Sequence, residues 1–197
     1  KPQLQSLGVN AVFGSHQTNV LESYLYLRSF PWDMMSFSFA SSAQDETFSP
    51  LYTEQMAKVA DAAFAFGGEP ELRRISQFDQ FFKILDSKTR IHNYCGAGKS
   101  LLQIDTSGNL YACNWFANDA NEIVGNGTSV NAEKLRAYAD PLNELNGCKS
   151  CWAKHMCGGG CMFVHKLRTG NKHKKDIEFC TRTKNIIAKG IEYYAQA

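Results

Sequence analysis

The alternation of apolar and polar positions predicts a mixed order of strands and helices at the start of the chain. Residues 9–13 and 34–39 are short runs with the composition and alternation of β-strands. Residues 20–29 between them have helical spacing, and Asn19 and Glu22 stand at the positions of a capping box. A strand, a helix and a second strand in this order predict a βαβ unit with parallel strands.

Two more helices are predicted before residue 90. Ser49 followed by Pro50 is typical of a helix N-terminus, and Gly67 followed by Gly68 is typical of a helix end. A further helix is predicted over residues 70–85. The first part of the chain is therefore expected to be an α/β region.

The pattern in the second half predicts smaller elements. Residues 101–105 and 110–113 are expected to form a hairpin, because Gly108 between them allows the positive φ of a tight turn. A short helix is predicted over residues 132–139 and a long one over 176–194. The whole chain is therefore predicted to be α/β, with a smaller and less regular α+β part at its C-terminal end.

Composition and charge limit the possible functions. The chain has 197 residues, 44% of them hydrophobic, which is enough for a core in one or two domains. A net charge of +2 gives no reason to expect nucleic acid as a partner. There is no run of 18 apolar residues and no signal-peptide pattern, so no membrane association is expected and a cytoplasmic location is predicted.

The seven cysteines carry the main functional information. All of them lie between residues 95 and 180, and they are Cys95, Cys113, Cys148, Cys151, Cys157, Cys161 and Cys180. Seven thiols are too many for one tetrahedral zinc ion and one too few for two iron–sulfur cubanes with four thiolates each. An odd number also argues against a closed set of disulfides. The change in cysteine content predicts two domains, 1–90 and 91–197.

The spacing of the cysteines favours iron–sulfur clusters. Cys148 and Cys151 form a Cys-x2-Cys chelate, which zinc sites and iron–sulfur sites share. The three glycines between Cys157 and Cys161 let the backbone approach a bulky inorganic core and direct N–H groups at its sulfides. The helix over 176–194 is expected to turn its cysteine inward, towards ligands placed by other segments.

The complete pattern resembles a known module. It has the form Cys-x12-Gly-x4-Cys, a gap, Cys-x2-Cys-x5-Cys-x3-Cys, a gap and Cys, with Gly108 as its glycine. This is similar to the SPASM domain, the auxiliary-cluster module of radical S-adenosylmethionine (SAM) maturases. The resemblance implies that residues 91–197 form a SPASM domain, and that residues 1–90 form the C-terminal part of a partial β/α barrel.

The resemblance also implies two auxiliary [4Fe–4S] clusters and their ligands. The first cluster would be bound by Cys95, Cys113 and Cys161. The second would be bound by Cys148, Cys151, Cys157 and Cys180. The fourth position of the first cluster could be open, could take a substrate thiolate, or could be filled by His92, Asp105 or a residue outside this chain.

The implied activity is that of an oxidoreductase that modifies a ribosomally synthesised peptide. The SAM-cleaving signature Cys-x3-Cys-x2-Cys is not completed here, because Val164 stands where the third cysteine would follow Cys161. SAM, a third [4Fe–4S] cluster and an N-terminal radical SAM region are therefore expected only in the complete enzyme. A reductant such as a flavodoxin or ferredoxin is expected as a further partner.

One position narrows the expected chemistry. In sulfatase maturases of this family an aspartate directly follows the cysteine equivalent to Cys113 and acts as a base, whereas this chain has Asn114. An amide cannot accept a proton in this way. A crosslink in the peptide, either a thioether or a carbon–carbon bond, is therefore predicted in preference to formylglycine.

Other interpretations of the same residues stay open. The chain could be a free-standing iron–sulfur module for electron transfer or peptide binding, or a zinc-stabilised binding domain. His155 and His165 are expected to lie near the metal loop without being ligands. Trp115, Phe116 and Trp152 are expected to shield the clusters as core residues. The basic run over 166–175 is expected to be a solvated loop.

Overall fold

The computed structural model describes residues 5–40 and 48–196. The chain divides into two compact units. Lys1–Thr89 and Thr181–Ala197 make up the first unit, and Arg90–Cys180 makes up the second. The first unit is thus built from two separate parts of the chain, whereas the second is one continuous segment.

The first unit begins with the predicted βαβ arrangement. Strand β1 (Gly8–Phe13) pairs in parallel with β2 (Met34–Phe39), and helix α1 (Val20–Leu27) connects them. The prediction is therefore confirmed. Asn19 uses its side chain differently from a capping box, because its Nδ2 donates a hydrogen bond to Glu22 Oε2 at 2.9 Å instead of capping the backbone.

The two faces of this strand pair differ, as the alternation predicts. Phe13, Met35 and Phe37 are buried on one face. On the opposite face, the hydroxyl of Ser38 donates to Asn10 Oδ1 at 2.9 Å. Only the apolar face of the pair therefore contributes to the core.

The region predicted as one helix over 70–85 is broken in the structure, so that prediction is wrong. Helix α2 (Phe48–Arg73) is interrupted at Gly67 and Gly68, and α3 (Ser76–Ser87) starts anew. Between them Ile75 forms a parallel β-bridge with Met35. This backbone pairing holds the chain extended at Ile75 and overrides its local helical pattern.

Helix α8 (Ile177–Tyr194) is the predicted long C-terminal helix. The N-terminal end of α8 is capped by Asp176, whose Oδ2 accepts the N–H of Phe179 at 2.8 Å. Ile187 on the predicted apolar stripe is fully buried, but Ile177 is 64% exposed, so the stripe does not extend over the first turn. Among the described residues, no helix combines the length and apolarity that crossing a bilayer requires.

A four-stranded antiparallel sheet begins the second unit. Its strands follow one another in the order β3 (Gln103–Ile104), β4 (Asn109–Tyr111), β5 (Ile123–Asn126) and β6 (Ser129–Val130). The predicted hairpin corresponds to β3 and β4, although both strands are shorter than expected. The last two strands were not predicted, because both are short and β5 contains Gly125 and Asn126, residue types that are rare in strands.

Four short helices complete the second unit. They are α4 (Ala132–Arg136), α5 (Leu142–Leu145), α6 (Lys154–Cys157) and α7 (Met162–Thr169). Only α4 corresponds to a predicted helix. The core of this unit consists of Tyr111, Ala112, Phe116, Val124, Tyr138, Leu142 and Met162.

A buried carboxylate anchors α7 and the loop after it. Glu122 is 5% exposed, and it accepts hydrogen bonds from Lys166 Nζ at 2.7 Å, from Lys172 Nζ at 2.6 Å and from the hydroxyl of Tyr138. Burial opposes ionisation of Glu122, but these hydrogen bonds prevail and hold its pKa below the usual value. The basic run is therefore not a uniformly solvated loop, since two of its lysines neutralise a buried acid.

Candidate metal centre

All seven cysteines lie in the second unit, and all are thiols, not disulfides. Cys148 is buried, Cys95 is exposed, and the other five are partly buried. The structure therefore collects thiols from segments far apart in sequence into one compact part of the chain. The electrostatic interactions between the thiolates indicate which cysteines lie near one another.

Three cysteines influence one another and form what we call the first cysteine set: Cys95, Cys113 and Cys161. Burial is the main cause that raises the pKa of Cys113, and the negative charge of Cys95 raises it further. The pKa of Cys161 is likewise raised by burial first, and then by Cys95 and Cys113. The hairpin and the start of α7 thus bring these three thiols near each other.

The other four cysteines form the second cysteine set: Cys148, Cys151, Cys157 and Cys180. Burial raises the pKa of Cys157 to about 12, and Cys180, Cys148 and Cys151 add to the shift. The pKa of Cys148 is raised by burial and then by Cys151. The neighbouring thiolates that contribute most to the shifts of Cys148 and Cys157 therefore belong to this set.

The grouping has a chemical consequence for both sets. Burial and the charge of neighbouring thiolates both disfavour the ionised form, and together they raise the pKa values of Cys113, Cys148, Cys157 and Cys161. A bound cation removes that penalty, because it stabilises the thiolates and releases their protons. The arrangement therefore fits a metal-binding role better than that of inert core thiols.

Backbone N–H groups favour the thiolate forms of two cysteines. Those of Trp115 and Phe116 lower the pKa of Cys113 against the larger effect of burial, and those of Phe163 and Val164 do the same for Cys161. Both cysteines precede a helical turn, at 114–116 and in α7, where the first N–H groups have no partner within the helix. Such N–H···S hydrogen bonds are typical of iron–sulfur ligands, whose potential they help to set.

The three glycines after Cys157 are required by close packing. Gly158, Gly159 and Gly160 all have positive φ, at 66°, 91° and 86°. A Cβ on Gly159 would lie 2.7 Å from the backbone nitrogen of Asn143, and a Cβ on Gly160 would lie 2.7 Å from His165 Nε2. The glycines therefore let this segment pass directly against neighbouring backbone. The backbone N–H of Gly159 also lowers the pKa of Cys157, against the larger effect of burial.

His165 holds the glycine segment in place and is not available as a ligand. It is fully buried, its Nδ1 accepts the N–H of Asp176 at 3.2 Å, and its Nε2 lies 2.8 Å from the carbonyl oxygen of Gly159. Because Nδ1 is an acceptor, Nε2 carries the proton and donates to that carbonyl. Burial lowers the pKa of His165, which keeps the ring neutral.

Asp105 and His92 are the other candidates for the fourth ligand of the first cluster. Asp105 closes the hairpin turn, because its carboxylate accepts the N–H groups of Ser107 at 2.8 Å and Asn109 at 2.9 Å, and the hydroxyl of Tyr111 at 3.1 Å. The ring of His92 lies 5.2 Å from that of His155, centroid to centroid. Asp105 is thus committed to the turn.

The predicted burial of the aromatic residues beside the cysteines is only partly confirmed. Phe116 is 2% exposed and belongs to the core, as predicted. Trp115 and Trp152 are 57% and 58% exposed, so the prediction that they are core residues is wrong for both. The face of Trp115 stacks on Phe163 at 5.4 Å between ring centroids.

Within residues 5–40 and 48–196, no three His, Cys, Asp or Glu side chains are close enough together to hold a single metal ion.

Comparisons with known proteins give the following relatives. No family model matches the chain. The chain is 34% identical over 84 residues to the mycofactocin maturase MftC of Mycobacterium tuberculosis, a match that covers 40% of this chain and 21% of the maturase. The same maturase of Mycolicibacterium smegmatis is 35% identical over 85 residues, with the same coverage. The matched region is therefore only about a fifth of these relatives.

Two solved structures cover nearly the whole chain. One is anSMEcpe with bound AdoMet, with a TM-score of 0.71 at 14% identity over 96% of this chain and 54% of that one. The other is anSMEcpe with bound AdoMet and the Kp18Cys peptide, with a TM-score of 0.69 at 14% identity over 96% of this chain and 56% of that one. The chain thus spans about half of these solved proteins. This chain is similar in sequence to the mycofactocin maturase MftC over 40% of its length and has the fold of the solved anSMEcpe structures.

Proposed function

We propose that this chain is the auxiliary-cluster portion of a radical SAM/SPASM maturase that modifies a ribosomally synthesised peptide. Residues 91–197 would be the SPASM domain, and residues 1–90 would be the end of the radical SAM barrel. The observation that carries this proposal is the division of the seven thiols into one set of three and one set of four. This division agrees with the ligand sets that the cysteine pattern implies.

Each cysteine set would hold one [4Fe–4S] cluster. The second set supplies four thiolates, one for each iron of a cubane. The first set supplies three, so one iron has no cysteine of this chain. Because Asp105 is committed to the hairpin turn, we propose that this position is open to a substrate group or is filled from outside the chain.

The clusters, when bound, supply one-electron redox chemistry and, at an open iron, a binding position. The residues of this chain position and protect them. The N–H groups of Trp115, Phe116, Phe163 and Val164 stabilise charge on the sulfurs of the first set, and Phe116 excludes water beside them. His165 and the glycine segment fix Cys157 and Cys161 relative to each other.

The proposed product is a crosslinked peptide. The mycofactocin maturase is by its name a maturase, and an anSMEcpe structure contains a peptide, which supports a peptide substrate. Asn114 lies beside the first set, with its Oδ1 3.8 Å from Cys113 Sγ. Since this amide cannot act as a base, we favour a thioether or carbon–carbon crosslink over formylglycine.

The complete enzyme would require further components. SAM and a third [4Fe–4S] cluster would belong to an N-terminal radical SAM region, and a flavodoxin or ferredoxin would serve as reductant. Thiol ligands and clusters of this kind are best maintained in a reducing compartment, which supports a cytoplasmic location.

The product of the complete enzyme tests this proposal. Anaerobic incubation with SAM, a reductant and the precursor peptide encoded beside the enzyme is expected to lower the peptide mass by two hydrogens, about 2 Da. Tandem mass spectrometry should show fragments that stay joined at the crosslink, and a reaction without SAM is the control. Conversion of a cysteine or serine to an aldehyde would instead show that the inference from Asn114 is wrong.

A further inference from the structure

Four lysines surround the segment that carries Cys148 and Cys151. Lys149 lies between these two cysteines in sequence, and Lys154 follows them. The ammonium group of Lys154 donates to the carbonyl oxygen of Lys149 at 3.0 Å. Lys175 donates to the carbonyl oxygen of Gly147 at 3.2 Å, and Lys174, which precedes it in sequence, is exposed. We call these four side chains the lysine surface: Lys149, Lys154, Lys174 and Lys175.

The charge of the lysine surface is not neutralised. Lys166 and Lys172, in the same basic run, are paired with Glu122. By contrast, none of the four lysines of the lysine surface forms an ion pair with a carboxylate in the part of the chain that the structure describes. The positive charge also lies against the metal-binding segment, because the ammonium groups of Lys154 and Lys175 are hydrogen-bonded to the backbone carbonyl oxygens of Lys149 and Gly147.

An exposed aromatic side chain completes this surface. Trp152 directly follows Cys151, and 58% of its surface is exposed. Exposed tryptophan beside uncompensated lysines is the composition of a protein-binding surface, with an apolar anchor and a charged rim. The rim would attract an acidic partner from a distance and orient it, and salt would weaken this effect.

We propose that the lysine surface, together with Trp152, docks a small acidic one-electron carrier protein of the flavodoxin class next to the second cysteine set. This inference rests on the proposed function, because it requires a cluster bound by that set. One electron leaves the reduced carrier and enters the second cluster. No bond is formed or broken, and no proton is transferred.

An electron carrier fits this surface better than an acidic substrate peptide. All four positions of the second cluster would be occupied by cysteines, so a substrate would find no open iron there. The open position belongs to the first set. A surface beside a fully ligated cluster can pass electrons but offers no place for substrate chemistry.

The test uses the complete enzyme with its clusters reconstituted, and reduced flavodoxin as the probe. The variant K149E/K174E changes two exposed lysines that make no hydrogen bond to the cysteine segment. At low ionic strength its second-order rate constant for cluster reduction, measured by stopped-flow absorbance, is expected to fall at least about tenfold. The wild-type rate is expected to fall steeply as salt is added.

Two controls isolate the docking step. The variant K134E/R136E makes the same change in net charge on exposed positions of α4, and it should keep the wild-type rate. Reduced methyl viologen, a small cation, should reduce all variants equally well. All proteins are compared at equal iron content, and the single variant K174E replaces the double variant if the latter binds less iron.

The possible results separate docking from the proposed function. Equal flavodoxin rates for K149E/K174E and wild type, or a wild-type rate unaffected by salt, would overturn the docking proposal. So would a K149E/K174E variant that keeps its flavodoxin rate but loses affinity for the peptide, since the surface would then bind substrate. A wild-type protein that binds no iron would instead overturn the proposed function itself.

Discussion

Replacing Cys157 with serine is expected to remove about four of the eight irons proposed for the 197-residue chain. The pKa of Cys157 is raised to about 12, with burial as the main cause and the charges of Cys180, Cys148 and Cys151 as further causes. A serine hydroxyl is a poor ligand for iron, so the second cluster should be lost. In the complete enzyme, peptide modification should fall at least about 100-fold.

Cys161→Ser is the matched control. Cys161 is only four residues from Cys157, but it belongs to the first set. This variant should also lose about four irons and keep the other four, and the EPR signals of the two reduced variants should add up to the signal of the wild type. If both variants lost the same signal, the assignment of the cysteines to two sets would be wrong.

The Gly159→Ala substitution is expected to have the second large effect, a loss of stability. Gly159 has φ of 91°, and a Cβ there would lie 2.7 Å from Asn143 N and 2.8 Å from Leu142 C. These are backbone atoms that cannot move aside as a flexible side chain can. The substitution is therefore expected to destabilise the second unit by about 3 kcal/mol or more. The melting temperature of the reconstituted chain should fall by roughly 6–12 °C.

Gly108→Ala provides the comparison for this effect. Gly108 has a similar φ of 83°, but a Cβ there would meet no atom within 4 Å. Only the backbone strain remains, which costs about 1 kcal/mol and should lower the melting temperature by roughly 2–4 °C. Equal losses for the two variants would show that the glycine segment after Cys157 is not packed as described.

Local sequence patterns identified the elements that depend on local interactions. The alternation in residues 34–39 predicted β2, and the turn at Gly108 predicted the hairpin that carries Cys113. The resemblance of the cysteine pattern to the SPASM domain implies a division of the ligands between two clusters, which separates Cys157 from Cys161 although they are close in sequence, and this division stays a prediction. The pattern could do this because each metal ligand requires one particular residue type, whereas many residue types can fill a helix or a core.

Features that depend on distant contacts could not be predicted in this way. Ile75 has a helical pattern around it, but its bridge to Met35 depends on a strand 40 residues earlier in the sequence. Glu122 looks like an ordinary surface acid until Lys166 and Lys172 reach it from positions 44 and 50 residues away. Likewise, the role of His165 depends on the carbonyl of Gly159 and the N–H of Asp176, which only the folded chain brings to its ring.

The proposal of two iron–sulfur clusters is tested most directly by the iron and sulfide content of the anaerobically reconstituted 197-residue chain, combined with Mössbauer spectroscopy. Two clusters held by the two cysteine sets predict about eight irons and eight sulfides per chain, with all of the iron in [4Fe–4S] form. A colourless protein that binds about one zinc ion through these thiols, or one in which the cysteines form disulfides, would contradict it.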